Sequence, residues 1–204
     1  CWFNLLLATM LLVVIARDAF LFLVAWEGMS LSSFFLVMFE HEKPGVKKAG
    51  WIYLATTHAG TAFLLVMFIL MGKDTGFDFS VMQTDGAPAS FIFIAALIGF
   101  GTKAGFVPLH IWLPEAHPAA PSHVSALMSG VMIKLGIYGL LRMILLLGEA
   151  EIWWGWCLIV IGALSGVLGV LFALAHHDLK RLLAYHSVEN IGIIAMGIGI
   201  GILG

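Results

Sequence analysis

The chain alternates between long apolar runs and short breaks that contain charged residues, glycine or proline. Seven apolar runs are delimited in this way: residues 2–16, 19–39, 49–71, 89–113, 122–147, 152–175 and 182–204. A membrane-spanning helix needs about 20 mostly apolar residues, and the first run is short by this measure. The runs are apolar on every face and lack the alternation typical of membrane β-strands. The pattern therefore predicts an all-α, polytopic bundle of about seven spans, forming one transmembrane domain over residues 1–204.

Composition supports a membrane location and argues against several other classes of protein. Hydrophobic residues make up 61% of the 204 positions and charged residues 11%, far from the mixture of a water-soluble domain. The formal net charge of -2 gives no basic excess for binding nucleic acid. We expect an integral protein of the inner membrane of a bacterial or archaeal cell.

The ends of the chain and its cysteines bear on what else the protein needs. The chain begins inside one apolar run and ends inside another, so we interpret it as a fragment of a longer protein. Cys1 and Cys157 form no CxxC pair, and neither a zinc nor an iron–sulfur motif is present. We therefore expect no cofactor on this chain, and no redox active site of its own.

Three ionisable residues lie well inside the predicted spans, namely Glu27, Lys103 and Lys134. Each costs at least about 2.5 kcal/mol to place in hydrocarbon, so each needs an explanation. A low dielectric disfavours the charged ammonium and a nearby carboxylate favours it. If Glu27 approaches Lys103, separating the pair would release a proton that Lys134 could accept next. The alternative is a structural ion pair that only fixes helix packing.

A helix break is predicted directly after Lys103. Pro108 and Pro114 each remove a backbone donor and disturb the preceding turn, and irregular backbone in a membrane is tolerated where it lines a wet cavity. Side chains near the break or in the last run are candidate proton relays, because imidazole titrates near neutrality and a carboxylate also exchanges protons. These candidates are His110, His117, His123 and Glu189.

Helical periodicity adds two expectations. At 100° per residue, His123, Gly130 and Lys134 occupy nearly one face of the fifth helix and form a polar seam there. His58 lies on a helix with several threonines, so we expect it to make a hydrogen-bonded contact between helices.

Several segments together resemble the antiporter-like membrane subunits of complexes related to respiratory complex I. The longest is GTKAGFVPLHIWLPEAH (101–117), followed by IKLGIYGLLR (133–142), DLKRLLAYHS (178–187) and the pair Trp26–Glu27. They follow one another in the family's order and cover nearly the whole chain. The sequence of residues 114–130 is most similar to that of the large membrane subunit of formate hydrogenlyase-type nickel–iron hydrogenases.

The resemblance implies a role for each buried charge and a fold. Glu27 would be the glutamate of the family's first half-channel, Lys103 its paired lysine and Lys134 its central connecting lysine. The implied fold has inverted repeats with broken helices, of which this chain resembles the first repeat and the opening helices of the second. The charged residue of the family's second half is not found in this sequence, so no residue is assigned to the exit route of the ion.

The resemblance also implies a function and partners. We expect a proton-translocating membrane subunit of a hydrogenase or NADH:quinone oxidoreductase-type complex, bound to other membrane subunits and to a peripheral hydrogenase or dehydrogenase arm. A sodium/proton antiporter subunit is the alternative within the family. Two readings from other classes are a haem-binding electron carrier, which predicts a visible haem spectrum, and a passive membrane scaffold with inert ion pairs.

Overall fold

A computed structural model describes residues 1–73, 76–82, 89–148 and 150–204. Within these ranges the chain is helical, and no β-strand is present beyond an isolated bridge between Asp18 and Asp78. The α-helices are α1 (Trp2–Ile15), α2 (Ala19–Val37), α3 (Val46–Gly72), α4 (Ala89–Ala104), α5 (Leu113–Ala119), α6 (Ser122–Leu127), α7 (Ile133–Leu147), α8 (Ile152–Ala175) and α9 (Leu179–Leu203). Short 3-10 turns lie at Met38–Glu40 and Leu109–Trp112, and a π-helical segment lies at Met128–Met132.

The prediction of seven apolar helical segments is confirmed. Within the part of the chain that the structure describes, six segments are long and apolar enough to cross a membrane, and α1 is a shorter apolar helix of 14 residues. The fourth segment extends further than predicted, to Ala119. The predicted loops 72–88 and 148–151 include residues 74, 75, 83–88 and 149, which lie outside the described residues.

The predicted break after Lys103 is confirmed. Helix α4 ends at Ala104 and the next residue, Gly105, has a φ of +86°, a conformation that glycine adopts without steric cost. The broken end exposes backbone carbonyls that need donors. The indole Nε1 of Trp112 satisfies one of them by donating to the carbonyl of Thr102 over 2.8 Å.

The fifth span contains a second irregularity, which the sequence pattern did not predict. In the π-helical segment the N–H of Ile133 donates to the carbonyl of Met128, five residues back. A π-turn holds one more residue than an α-turn, so residues beyond it are rotated relative to uniform α-helical spacing. The expectation that His123, Gly130 and Lys134 share one face is therefore wrong.

Glycines allow the last two helices to pack backbone against backbone. A Cβ added at Gly162 on α8 would lie 2.6 Å from the carbonyl oxygen of Gly192 on α9, and one at Gly155 would lie 2.8 Å from that of Gly199. Small residues at membrane helix interfaces permit this close approach.

The segment 76–82 packs across the start of α2. The backbone N–H of Ala19 donates to the carbonyl of Phe77 over 2.8 Å, and the N–H of Phe79 donates to the carbonyl of Arg17 over 2.9 Å. Asp78 accepts hydrogen bonds from the backbone and hydroxyl of Ser80, and these bonds hold the pKa of Asp78 below its usual range.

Candidate functional site

Lys103 lies at the centre of the bundle and is 1% exposed. Its Nζ donates to the hydroxyl of Ser30 on α2 over 2.7 Å and to that of Tyr53 on α3 over 3.3 Å. The same Nζ lies 5.7 and 5.5 Å from the ring centroids of Trp26 and Tyr53, close enough for cation–π attraction. The amine is thus held by neutral oxygens and aromatic faces from two neighbouring helices.

The hydroxyl of Tyr53 links this pocket to the helix that carries Lys134. Tyr53 is fully buried and shares a short hydrogen bond with the hydroxyl of Ser33. It also lies 3.8 Å from the Sδ of Met132, the last residue of the π-helical segment. A chain of contacts therefore runs from the amine of Lys103 to a point two residues before Lys134.

Glu27 does not contact Lys103. Its Oε2 lies 3.3 Å from the Nε2 of His58 on α3, while its Oε1 is buried without a hydrogen-bond partner. Both side chains line a cavity of about 660 Å³ with largely apolar walls. The direct Glu27–Lys103 pair that we hypothesised is therefore absent among the described residues, because Ser30 takes the position next to the amine. The interhelical contact expected of His58 is confirmed.

Lys134 lies in the first turn of α7 and is partly buried. Its Nζ donates to the backbone carbonyl of Ser129 over 2.5 Å, inside the π-helical segment. The hydroxyl of Ser129 is 2.7 Å from that of Ser187 on α9. The π-turn thus gives Lys134 a neutral partner on its own helix.

A cavity of about 490 Å³, bordered by several hydroxyl and histidine side chains, lies beside this segment, between α6 and α9. His117 lines it and is 1% exposed; its Nδ1 is 2.7 Å from the hydroxyl of Ser125, and its Nε2 is buried without a partner. Ser129 and Ser187 line the same cavity. His117 and Ser129, whose carbonyl accepts from Lys134, therefore border one cavity.

The remaining candidate relays lie apart from one another. His110 is half-buried and its ring is 6.3 Å from that of Tyr185. His123 is exposed and packs edge-on against Phe3. His110, His117 and His123 thus have different neighbours, and no hydrogen bond or ring contact joins any two of them among the described residues. Glu189 pairs with His186 over 2.7 Å.

Sequence reasoning missed the side chains that hold Lys103, namely Ser30 and Tyr53. Their signal is weak, because hydroxyl residues recur throughout these spans and nothing in their spacing identifies a partner on another helix. Within the described residues no group of three or more His, Cys, Asp or Glu side chains lies close enough to hold a metal ion.

The fold and this site are those of a polytopic membrane protein with a broken helix, a buried lysine on that helix and a partly buried lysine on the neighbouring one. The chain belongs to the NADH:quinone oxidoreductase/Mrp antiporter transmembrane family, whose model matches residues 16–204.

The chain is similar to named relatives over almost all of its own length. It is 47% identical to hydrogenase-4 component B of Escherichia coli and 38% identical to formate hydrogenlyase subunit 3 of the same organism, each over 98% of the chain. A solved structure of the Mrp complex from Dietzia sp. superposes with a TM-score of 0.90 and 34% identity, over 98% of this chain and 23% of that one. The chain spans 31% and 33% of the length of the two curated relatives.

Proposed function

We propose that this chain is part of a proton-translocating membrane subunit of a hydrogenase or NADH:quinone oxidoreductase-type complex. The observation that carries the proposal is the buried amine of Lys103, which has neutral hydroxyl partners and no contact with a carboxylate among the described residues. A structural lysine is normally paired with an opposite charge when buried, because burial of an unpaired charge is costly.

Such an amine responds to small changes around it. Its charged form is disfavoured by burial and is held by two hydroxyls and two aromatic faces, so approach or retreat of a charge changes its affinity for a proton. Glu27 is one helical turn from Ser30 on the same helix. A shift that brings the Glu27 carboxylate toward the amine would favour proton uptake, and its return to His58 would favour release.

Transfer onward to Lys134 needs one further change. The contacts from Lys103 reach the hydroxyl of Tyr53 and then the thioether of Met132, which has no proton to donate and is a weak acceptor. Proton transfer would therefore require water to enter beside Met132, whose flexible side chain can move aside. In this proposal, the water would enter from the cavity that Ser129 lines.

We assign the driving force and the partners by analogy with the relatives. Proton movement would be driven by neighbouring membrane subunits and a peripheral hydrogenase or dehydrogenase arm, with no cofactor on this chain. The names of the two Escherichia coli relatives support the hydrogenase arm.

A second candidate is a subunit of a sodium/proton antiporter, which the superposition on the Mrp complex supports. The two candidates differ in the ion that moves. The test is ion uptake by proteoliposomes that contain the complete complex and are energised by its substrate. Proton uptake that persists without sodium supports the first candidate; uptake of radioactive sodium together with loss of proton movement in sodium-free buffer would overturn it in favour of the second.

A further inference from the structure

A cavity of about 340 Å³ lies at the end of the bundle where α3 and α9 begin. Lys48 and Arg181 line it, and each is the third residue of its helix. The two basic residues come from loops far apart in sequence and meet at one rim. The site is separate from Lys103 and Lys134, neither of which lines this cavity.

The basic residues lie at the unfavourable ends of the two helix dipoles. The first turn of α3 contains Lys47 and Lys48, that of α9 contains Lys180 and Arg181, and neither contains an acidic residue. Helix N-termini carry partial positive charge and normally attract acidic groups or anions. Of these four cations, Lys48 and Arg181 line this cavity, whereas Lys180 donates to the carbonyl of Ala120.

The acidic groups nearby balance only part of this charge. Arg181 lies 3.3 Å from Glu115, and Asp178 caps α9 by accepting from the backbone N–H of Arg181. Helix α3 begins after Gly45 and has no side-chain cap, and Lys48 is exposed and forms no ion pair with any residue that the structure describes. A positive charge therefore stays uncompensated on the α3 side of the cavity.

Besides Lys48, Arg181, Glu115, His110 and Tyr185, the residues that line the cavity are apolar. Ile52, Ile111 and Phe172 line the cavity, and Ile111 and Phe172 are 61% and 40% exposed. Trp51, which precedes Ile52, is 63% exposed, and tryptophan is enriched at the level of lipid headgroups. A basic rim above an apolar wall matches a molecule with an anionic head and hydrocarbon chains.

We propose that this cavity binds an anionic phospholipid, with its phosphate between Lys48 and Arg181 and its acyl chains along Ile111 and Phe172. Basic residues at the ends of membrane helices attract anionic lipids by about 1 kcal/mol each. A lipid held here would join the start of α3 to the start of α9. The proposal is independent of the ion-translocating function.

The test compares lipids and variants of the complete protein purified in detergent. Thermal unfolding and native mass spectrometry are measured after addition of phosphatidylglycerol, phosphatidylcholine or inorganic phosphate. Lys48→Glu replaces the unpaired positive charge by a negative one at an exposed position, and Lys47→Glu is the matched control, because Lys47 is exposed in the same turn and does not line the cavity.

Phosphatidylglycerol is expected to raise the unfolding temperature of the wild type and of Lys47→Glu, and to be retained about fivefold less by Lys48→Glu. Equal stabilisation by phosphatidylcholine would overturn the requirement for an anionic head. Equal stabilisation by inorganic phosphate would overturn the requirement for acyl chains. Equal retention by both variants would show that the lipid does not bind at Lys48.

Discussion

Gly136→Ala is expected to push apart the two helices that carry the buried lysines. A Cβ at Gly136 on α7 would lie 2.7 Å from the backbone nitrogen of Ala104 and 2.8 Å from the carbonyl oxygen of Phe100, both on α4. Ordinary Cβ contacts begin near 3.4 Å, so the backbones would have to separate by about 0.7 Å. Because the obstacles are backbone atoms, no side-chain rotation relieves the clash.

The expected cost follows from overpacking a close helix interface, which is about 1–3 kcal/mol. The assay is thermal unfolding of the purified complete protein, followed by intrinsic tryptophan fluorescence, with ion transport measured in parallel. Gly136→Ala should unfold at a lower temperature. It should also transport more slowly, because Ala104 adjoins Lys103 and Gly136 lies two residues from Lys134.

Gly130→Ala is the matched control on the same span. A Cβ there meets nothing within 4 Å, and alanine favours helix over glycine by up to about 1 kcal/mol. This variant should be as stable as the wild type or slightly more so. If Gly136→Ala behaved like Gly130→Ala, the close packing of α4 on α7 described above would be refuted.

Two further variants test single contacts. Tyr53→Phe removes a buried hydroxyl that accepts from Lys103 and bonds to Ser33. Thermal unfolding should show a loss of stability of about 1–3 kcal/mol, and proton-uptake assays should show slower transport. Transport at the wild-type rate would remove Tyr53 from the proposed route. Asp78→Asn should abolish an acid-dependent loosening of segment 76–82. Hydrogen bonds from Ser80 lower the folded-state pKa of Asp78 from 3.8. The stabilisation that the ionised Asp78 contributes is therefore present above pH 3.8 and is lost as the pH falls through the lower folded-state pKa. Proteolysis of the segment as a function of pH measures this, and identical profiles for both proteins would contradict it.

The helical segments were predictable because breaks in a membrane helix have strong local signals. Charged pairs, glycine-rich stretches and prolines marked the ends of the runs, and Pro108 marked the interruption after Lys103. In hydrocarbon each backbone group must be satisfied within the helix, so long apolar runs leave few alternatives to helix.

The π-turn was not predictable by the same reasoning. Residues 128–132 contain no proline and fit an α-helix in composition, so uniform spacing gave His123 and Lys134 a common face that the structure does not have. Met132, the last residue of the widened turn, contacts Tyr53 on α3, and a contact between helices has no local signal in the sequence.

The partners of the buried charges were predictable only in part. The depth of Lys103 in its span followed from the sequence, and the structure places it in the core. Its partners depend on how α2 and α3 are rotated: Ser30 faces the amine, while Glu27, three residues earlier, faces His58. A rotation of this kind leaves no local signal in the sequence.

The central claim is that the buried lysines carry protons rather than fix helix packing. Its most direct test is the number of protons moved per turnover by proteoliposomes containing the complete complex, with Lys103→Met or Lys134→Met. Lys43→Met is the control, because Lys43 is exposed and pairs with Glu40 in a loop. With assembly intact, the expected result is a near-complete loss of proton movement per turnover in Lys103→Met and Lys134→Met, and no loss in Lys43→Met. Wild-type proton movement in the assembled Lys103→Met and Lys134→Met complexes would contradict this claim and support the alternative of a passive scaffold.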